Sequence, residues 1–203
     1  MKKINQSSNK IFFTSDHHFG HDGIIKFANR PYENIEEMNE GLIHNWNRVV
    51  PPDGLTFVLG DIGFCDKTSI VDIFTRLNGR KILIRGNHDS NYPENILLSI
   101  FDEIHDMLYI RLQDDVTFKY LYMVLCHYPL LDWQGSFKGS WHLFGHLHTR
   151  DLAEFGTLKT RLFASQYDVG VDNNNFEPVS FHNLKDIMRI QSESQIFKKT
   201  NYY

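Results

Sequence analysis

The chain has 203 residues, 41% of them hydrophobic, with 21 Lys and Arg against 25 Asp and Glu for a formal net charge of -4. That length suits one domain with a core able to bury most of its apolar surface, and the acidic balance excludes the global basic footprint that drives strong duplex nucleic-acid binding. Cys65 and Cys126 are too few for a disulfide framework and form no Cys-x-x-Cys pair, so a reducing, cytoplasmic setting is expected.

Residues 1–9 are mostly polar and are expected to be a flexible N-terminus ahead of a single domain over 10–190. Lys10 to Ser15 reads as a buried strand with Asp16 directly after it, and its apolar run Ile11-Phe12-Phe13 is too short for a signal peptide or a membrane span. From Asn34, with Glu37 as a capping-box partner, Ile35, Met38, Leu42, Trp46 and Val49 recur at helical spacing until Pro51-Pro52-Asp53-Gly54 turns the chain. Thr56 to Leu59 is a second strand and runs straight into Gly60-Asp61. Ile70, Ile73, Phe74 and Leu77 mark a second helix, closed by Asn78-Gly79. Lys81 to Arg85 is a third strand and ends on Gly86-Asn87-His88-Asp89. Met107 to Leu112 and Thr117 to Leu125 read as strands around an Asp114-Asp115 turn, and Trp141 to Phe144 leads into Gly145-His146-Leu147-His148. A short helix is expected around Asn183 to Ile190, then a frayed tail over 191–203.

The first half is therefore β-α-β-α-β with a polar block at the C-terminal end of every strand, where open α/β sheets place their ligand sites. Taken alone, Asp16 and Asp61 read as turn or capping residues, Asn87 as a tight-turn residue, and His127 beside Pro129 as a satisfied core histidine. Taken jointly, His, Asp and Asn at successive strand ends are the borderline nitrogen and oxygen donors that hold divalent cations. His146 and His148 would share one face of an extended segment, or a turn after Gly145 would direct them to adjacent metals.

The ordered blocks Asp16-His17-His18, Gly60-Asp61, Gly86-Asn87-His88-Asp89, His127 and Gly145-His146-Leu147-His148 resemble the calcineurin-like metallophosphoesterase superfamily. Its pattern runs Asp-x-His, Gly-Asp, Gly-Asn-His-(Asp/Glu), His, Gly-His-x-His. The phrases His18-Phe19-Gly20-His21, Arg30-Pro31-Tyr32 and Cys126-His127-Tyr128-Pro129-Leu130 look most like its small bacterial and phage members. The resemblance implies an α/β fold, a four-layer α-β-β-α sandwich of two mixed sheets flanked by helices. It also implies a metal-dependent phosphoesterase in which a hydroxide between two divalent ions, Mn, Fe, Zn or Ni, attacks phosphorus, with the ions about 3.5 to 4 Å apart. By the same resemblance Asp16, His18, Asp61 and His148 would hold one metal, and Asp61, Asn87, His127 and His146 the other, with Asp61 as bridge. His88 matches the family's general acid, with a phosphate-contacting or ligand-supporting histidine as the competing reading.

One departure concerns substrate. The superfamily's protein Ser/Thr phosphatases continue Gly-Asp-x-x-Asp-Arg, whereas Phe64 and Cys65 stand at those positions here. Small phosphorylated substrates, including nucleotide-derived ones, are therefore expected ahead of phosphoproteins. A nuclease and a catalytically silent binding scaffold remain the alternatives. His21 and Arg30 are candidate substrate contacts, Arg30 through a bidentate fork to phosphate; a structural loop histidine and a solvated loop arginine are the competing readings. His17 and His142 lie near the blocks and are open to either role. Asp168 and Asp172 either orient a ligand histidine or form a turn, while His44, His105 and His182 read as surface or packing residues.

Overall fold

The computed structural model describes residues 1–149 and 161–194. The chain opens with β1 (Lys2–Ile4) and a 3-10 turn over Ser8–Lys10, then enters β2 (Ile11–Thr14). β2, β3 (Leu55–Val58) and β4 (Arg80–Ile84) are mainly apolar and buried on both faces except at Arg80, the pattern of parallel strands covered above and below. They pair in parallel, with Phe13 opposite Phe57 and Phe57 opposite Ile82. β5 (Glu103–His105) adds in parallel at one edge, and β10 (Val179–Ser180) closes the other antiparallel.

The crossovers are helical. α1 (Asp22–Phe27) and α2 (Ile35–Val49) join β2 to β3, α3 (Lys67–Thr75) joins β3 to β4, and α4 (Glu94–Ile100) leads to β5. Asn34 caps α2 by accepting the Glu37 N–H at 2.9 Å, but the Glu37 carboxylate accepts from Glu33 N–H at 2.6 Å, so the returning leg of the capping box falls one residue early. Strand alternation sends Phe12, Val58 and Leu83 to the helix side, against Met38, Trp46 and Phe74, and Phe13, Phe57, Ile82 and Ile84 to the opposite side.

That opposite side meets a second sheet, β1-β6-β7-β8-β9, built with β6 (Met107–Gln113), β7 (Tyr120–Cys126), β8 (Trp141–Phe144) and β9 (Gln166–Asp168). Only its β6–β7 pair is antiparallel. Ile110, Met123, Leu125 and Leu143 interleave with the first sheet, and each such buried side chain contributes about 1.5–3 kcal/mol. α5 (Phe181–Glu193) adds Phe181, Leu184 and Met188 to this core. It crosses the end of the sandwich opposite the polar blocks, where Lys185 meets Asp114 beyond β6 and Gln191 meets the Gln166 carbonyl at the start of β9. The fold is thus α/β, two mixed sheets flanked by helices. Among the described residues no helix is long and apolar enough to cross a membrane.

Three boundaries differ from expectation. Residues 1–9 are not a free arm, because Lys2 pairs with Ile110, Ile4 enters the inter-sheet core, and Ser8 N–H donates to Asp115 Oδ2 at 2.8 Å. The last helix starts at Phe181 under a Ser180 cap and runs past Ile190 to Glu193, since Gln191 is buried and donates to the Ala164 and Gln166 carbonyls at 3.1 and 3.0 Å. The rest of the expected frayed tail, 195–203, lies outside the described residues. β7 begins at Tyr120 rather than Thr117, because the Thr117 hydroxyl turns back to Asp114 Oδ2 at 2.6 Å.

Candidate metal centre

β2, β3, β4, β7 and β8 run towards one end of the sandwich, and the loops that follow them carry the candidate ligands. Two groups form there: Asp16, His18 and His148, and Asp61, His127 and His146, each with its ligand atoms within 4.8 Å of one another. Asp61 lies between them, its Oδ2 3.7 Å from His18 Nε2 and 3.5 Å from His127 Nε2. Asn87 Oδ1 is 3.0 Å from His127 Nε2. All seven expected ligands therefore converge, and Asp61 adjoins both groups.

The backbone reaches this arrangement through an unusual conformation. Asp16, His18, Asp61, His146 and His148 have φ of 59°, 52°, 53°, 71° and 48°, a left-handed region that costs about 1–3 kcal/mol for a residue with a Cβ and so marks sites over-determined by their surroundings. Those surroundings are close. The Asp16 N–H donates to Gly60 O at 3.0 Å, His18 N–H to Asp61 O at 3.1 Å, and Gly145 N–H to His127 O at 2.9 Å. The His146 N–H donates to the Asp16 carboxylate at 2.9 Å. A Cβ on Gly145 would collide with Ser15 Oγ and Asp16 Oδ2, and one on Gly86 with Asp61 Oδ1, so both positions need glycine for space.

Hydrogen bonds behind the ligands fix their tautomers. His127 Nδ1 lies 2.6 Å from Leu59 O and His148 Nδ1 2.7 Å from Asp172 Oδ2, which turns both Nε2 atoms inward. Asp172 thus orients His148, a candidate ligand. Asp168 instead shapes the following loop, accepting from the Thr149 and Gly170 N–H groups at 3.0 and 2.8 Å. Asp89, given no role of its own by the sequence, ties two ligand loops together: it accepts from Gly86 N–H at 2.7 Å, Ile62 N–H at 3.0 Å and Asp61 N–H at 3.1 Å.

The charge balance fits cations. Burial pushes the Asp16 carboxyl up to about 7, with His148 and His127 pulling the other way. Burial likewise drives His18 down to about 2, reinforced by His148 and Arg30. Asp61 is held below the usual carboxylate range although burial opposes it, because His127 hydrogen-bonds to it; His127 is held above its own range against burial by Asp61 and Asp16. Both His18 ring nitrogens and His146 Nδ1 are buried without a hydrogen-bond partner among the described residues. Orphaned imidazole nitrogens facing buried carboxylates are what divalent ions with nitrogen and oxygen preferences would satisfy. The residues present therefore fit such a pair.

Arg30 corrects the sequence reading. It is neither a phosphate fork nor a solvated loop residue: its side chain is 0% exposed, donates to both Asp172 oxygens at 2.9 Å, and donates to the Asp16 and His17 carbonyls at 2.7 Å. Loop closure over the first motif uses the whole guanidinium. His17 points away from the site and packs on Phe19 and Trp46, where burial pulls it down to about 3. His142 is held in the second sheet by the Val124 carbonyl facing its Nδ1 and by the Leu130 N–H, which donates to its Nε2.

At the rim, the half-exposed His88 has Nε2 3.9 Å from Asp61 Oδ2, and its backbone N–H donates to Asp61 Oδ1 at 2.9 Å. Phe64, where protein phosphatases carry an acid, lies against His88, His21 and His18 with ring centroids at 4.6, 4.2 and 5.4 Å. The His88 ring thus meets an aromatic face at Phe64, while its backbone is tied to the Asp61 carboxylate. His21 heads α1 beside it, at the mouth of the site.

No known protein-family model matches the chain. It is 32% identical over 197 residues to the uncharacterized protein MJ1445 of Methanocaldococcus jannaschii, covering 96% of this chain and 98% of that protein. It is 26% identical over 184 residues to the gene 66 protein of Mycobacterium phage L5, covering 79% of this chain and 86% of that one. The crystal structure of the protein of unknown function AQ665 from Aquifex aeolicus superposes with a TM-score of 0.63 at 25% identity, covering 87% of this chain and 98% of the other.

Proposed function

The chain belongs to the family of the uncharacterized Methanocaldococcus jannaschii protein MJ1445, and we propose that it is a metal-dependent phosphohydrolase of the calcineurin-like metallophosphoesterase type that cleaves small phosphate esters. The observation that carries this reading is Asp61 Oδ2 standing between the two histidine-carboxylate groups, 3.7 Å from His18 and 3.5 Å from His127. Asp16, His18, Asp61 and His148 would hold one divalent ion, and Asp61, Asn87, His127 and His146 the other. Such ions supply neutralisation of phosphoryl oxygens and acidify water at the site.

The chain's own groups do the rest. Leu59 O and Asp172 keep the His127 and His148 rings in the ligating tautomer. Asn87 offers a neutral carbonyl oxygen where a carboxylate would cancel charge, so the loaded site stays attractive to an anionic ester. His88 belongs to neither group and stands at the open rim, in position to give a proton to the departing alkoxide. The acidic chain favours small substrates, among them nucleotide-derived esters, over duplex DNA. A hydrolysis screen of mono-, di- and cyclic phosphates tests the reading on protein loaded with Mn, Fe, Zn or Ni, against metal-free controls. Metal-dependent turnover of at least one class is expected; inertness of every loaded form towards all three would overturn it.

A further inference from the structure

Next to the second ligand group lies a cavity of about 420 Å³, lined by Arg85, Gly86, Asp89, Ser90, Asp106 and Tyr128 among others, a volume in the range of small-molecule sites. Its inner wall adjoins the loops that carry the candidate ligands. Gly86 and Asp89 hold the Asp61 loop, and the Tyr128 ring packs edge-on against His127 and His146 with centroids at 5.1 and 4.9 Å. Tyr128 is nonetheless 43% exposed. Across the cavity the Arg85 guanidinium is held only loosely, 3.4 Å from Glu94 and 3.9 Å from Asp106. Its backbone, by contrast, is anchored to His105 O at 2.8 Å.

We propose that this cavity is the subsite for the nucleobase of a nucleotide-type phosphate ester whose phosphate sits at the metal centre, which builds on the phosphohydrolase reading. A base has a flat apolar face and an edge of donors and acceptors. The cavity supplies an exposed flat ring, Tyr128, further apolar lining from the buried Tyr92 and Leu97, and both kinds of polar group, from Arg85, Ser90 and Asp106. A phosphosugar lacks the flat face and leaves the Tyr128 ring uncovered, and the charged Arg85, Glu94 and Asp106 in the lining disfavour an acyl chain.

Equilibrium binding to metal-loaded protein tests this, with the non-hydrolysable phosphonate analogues of adenosine 5′-monophosphate and ribose 5-phosphate as probes that share the phosphonate and sugar. Base–aromatic stacking corresponds to about a tenfold or greater preference for the nucleotide. Tyr128→Leu, which keeps apolar bulk without a flat ring, should reduce that ratio to about twofold, while Tyr128→Phe should retain it. Thermal melts and metal content accompany each variant, and Arg85→Gln, which leaves the ligand histidines untouched, should also lower the ratio. Equal affinity of the wild type for both probes, or a nucleotide preference that survives Tyr128→Leu and Arg85→Gln, would overturn the proposal. Failure of the phosphohydrolase reading would appear differently, as a Tyr128-dependent preference in a protein that hydrolyses no phosphate ester.

Discussion

Replacing Arg30 with alanine removes a wholly buried guanidinium that donates to both oxygens of Asp172 at 2.9 Å and to the Asp16 and His17 carbonyls at 2.7 Å. Asp172 would be left buried with only His148 beside it, and two loop carbonyls would lose their donor. Breaking a buried ion pair from one side costs about 3–5 kcal/mol, against a total stability on the order of 5–15 kcal/mol. For a domain of this size that is a fall in Tm of roughly 6–20 °C. Because Asp172 also orients His148, the first metal should bind about 10- to 100-fold more weakly. Arg30→Lys should recover only part of either loss, since an ammonium cannot reproduce the fork. Thermal denaturation by circular dichroism and calorimetric Mn²⁺ titration read the two effects. An alanine variant melting within about 2 °C of wild type, yet impaired in binding phosphate, would show that Arg30 reaches substrate and that this reasoning is wrong.

Gly145→Ala should abolish metal binding and lower Tm, because the new methyl would displace Ser15 or Asp16; wild-type metal affinity in that variant would contradict the packing described. His88→Ala should keep both metals but lose about 10²- to 10⁴-fold on an alkyl ester and much less on a nitrophenyl ester, whose leaving group needs no proton. Equal losses on both would remove the acid role. Asp114 is held down to about 2, since hydrogen bonds from Lys185 and Thr117 outweigh burial. Its folded-state value lies below the ordinary 3.8, so its contribution is complete above that value and is lost as pH falls towards 2. Asp114→Asn should therefore cost about 1 kcal/mol at neutral pH and nothing at the acid end, as urea titrations at several pH values would show; a loss independent of pH would refute the pairing.

What the sequence revealed and what it concealed divide on physical grounds. β2, β3 and β4 were legible because strands buried on both faces read as mainly apolar runs, and α2 because fifteen residues repeat the helical period four times. α1 and α4, at six and seven residues, are too short for a period to emerge, and β10 has only two residues. The seven candidate ligands were legible as polar residues at strand ends. Their supports were not: Arg30 meets Asp172 across 142 positions, a pairing no local pattern encodes. His17 packs on Phe19 and Trp46 whereas the adjacent His18, at a left-handed φ of 52°, turns its ring towards Asp16 and Asp61. Asp89 carried a weak signal, a carboxylate just after a Gly-Asn turn, which is where loop N–H groups gather.

The central claim is a pair of divalent ions sharing Asp61. Titrating metal-free protein with Mn²⁺ by calorimetry, with bound metal counted by elemental analysis, addresses it directly in wild type and Asp61→Ala. Two sites per chain are expected in the wild type, both weakened in the variant. A wild type that binds no metal, or two full-strength sites surviving in Asp61→Ala, would contradict the account.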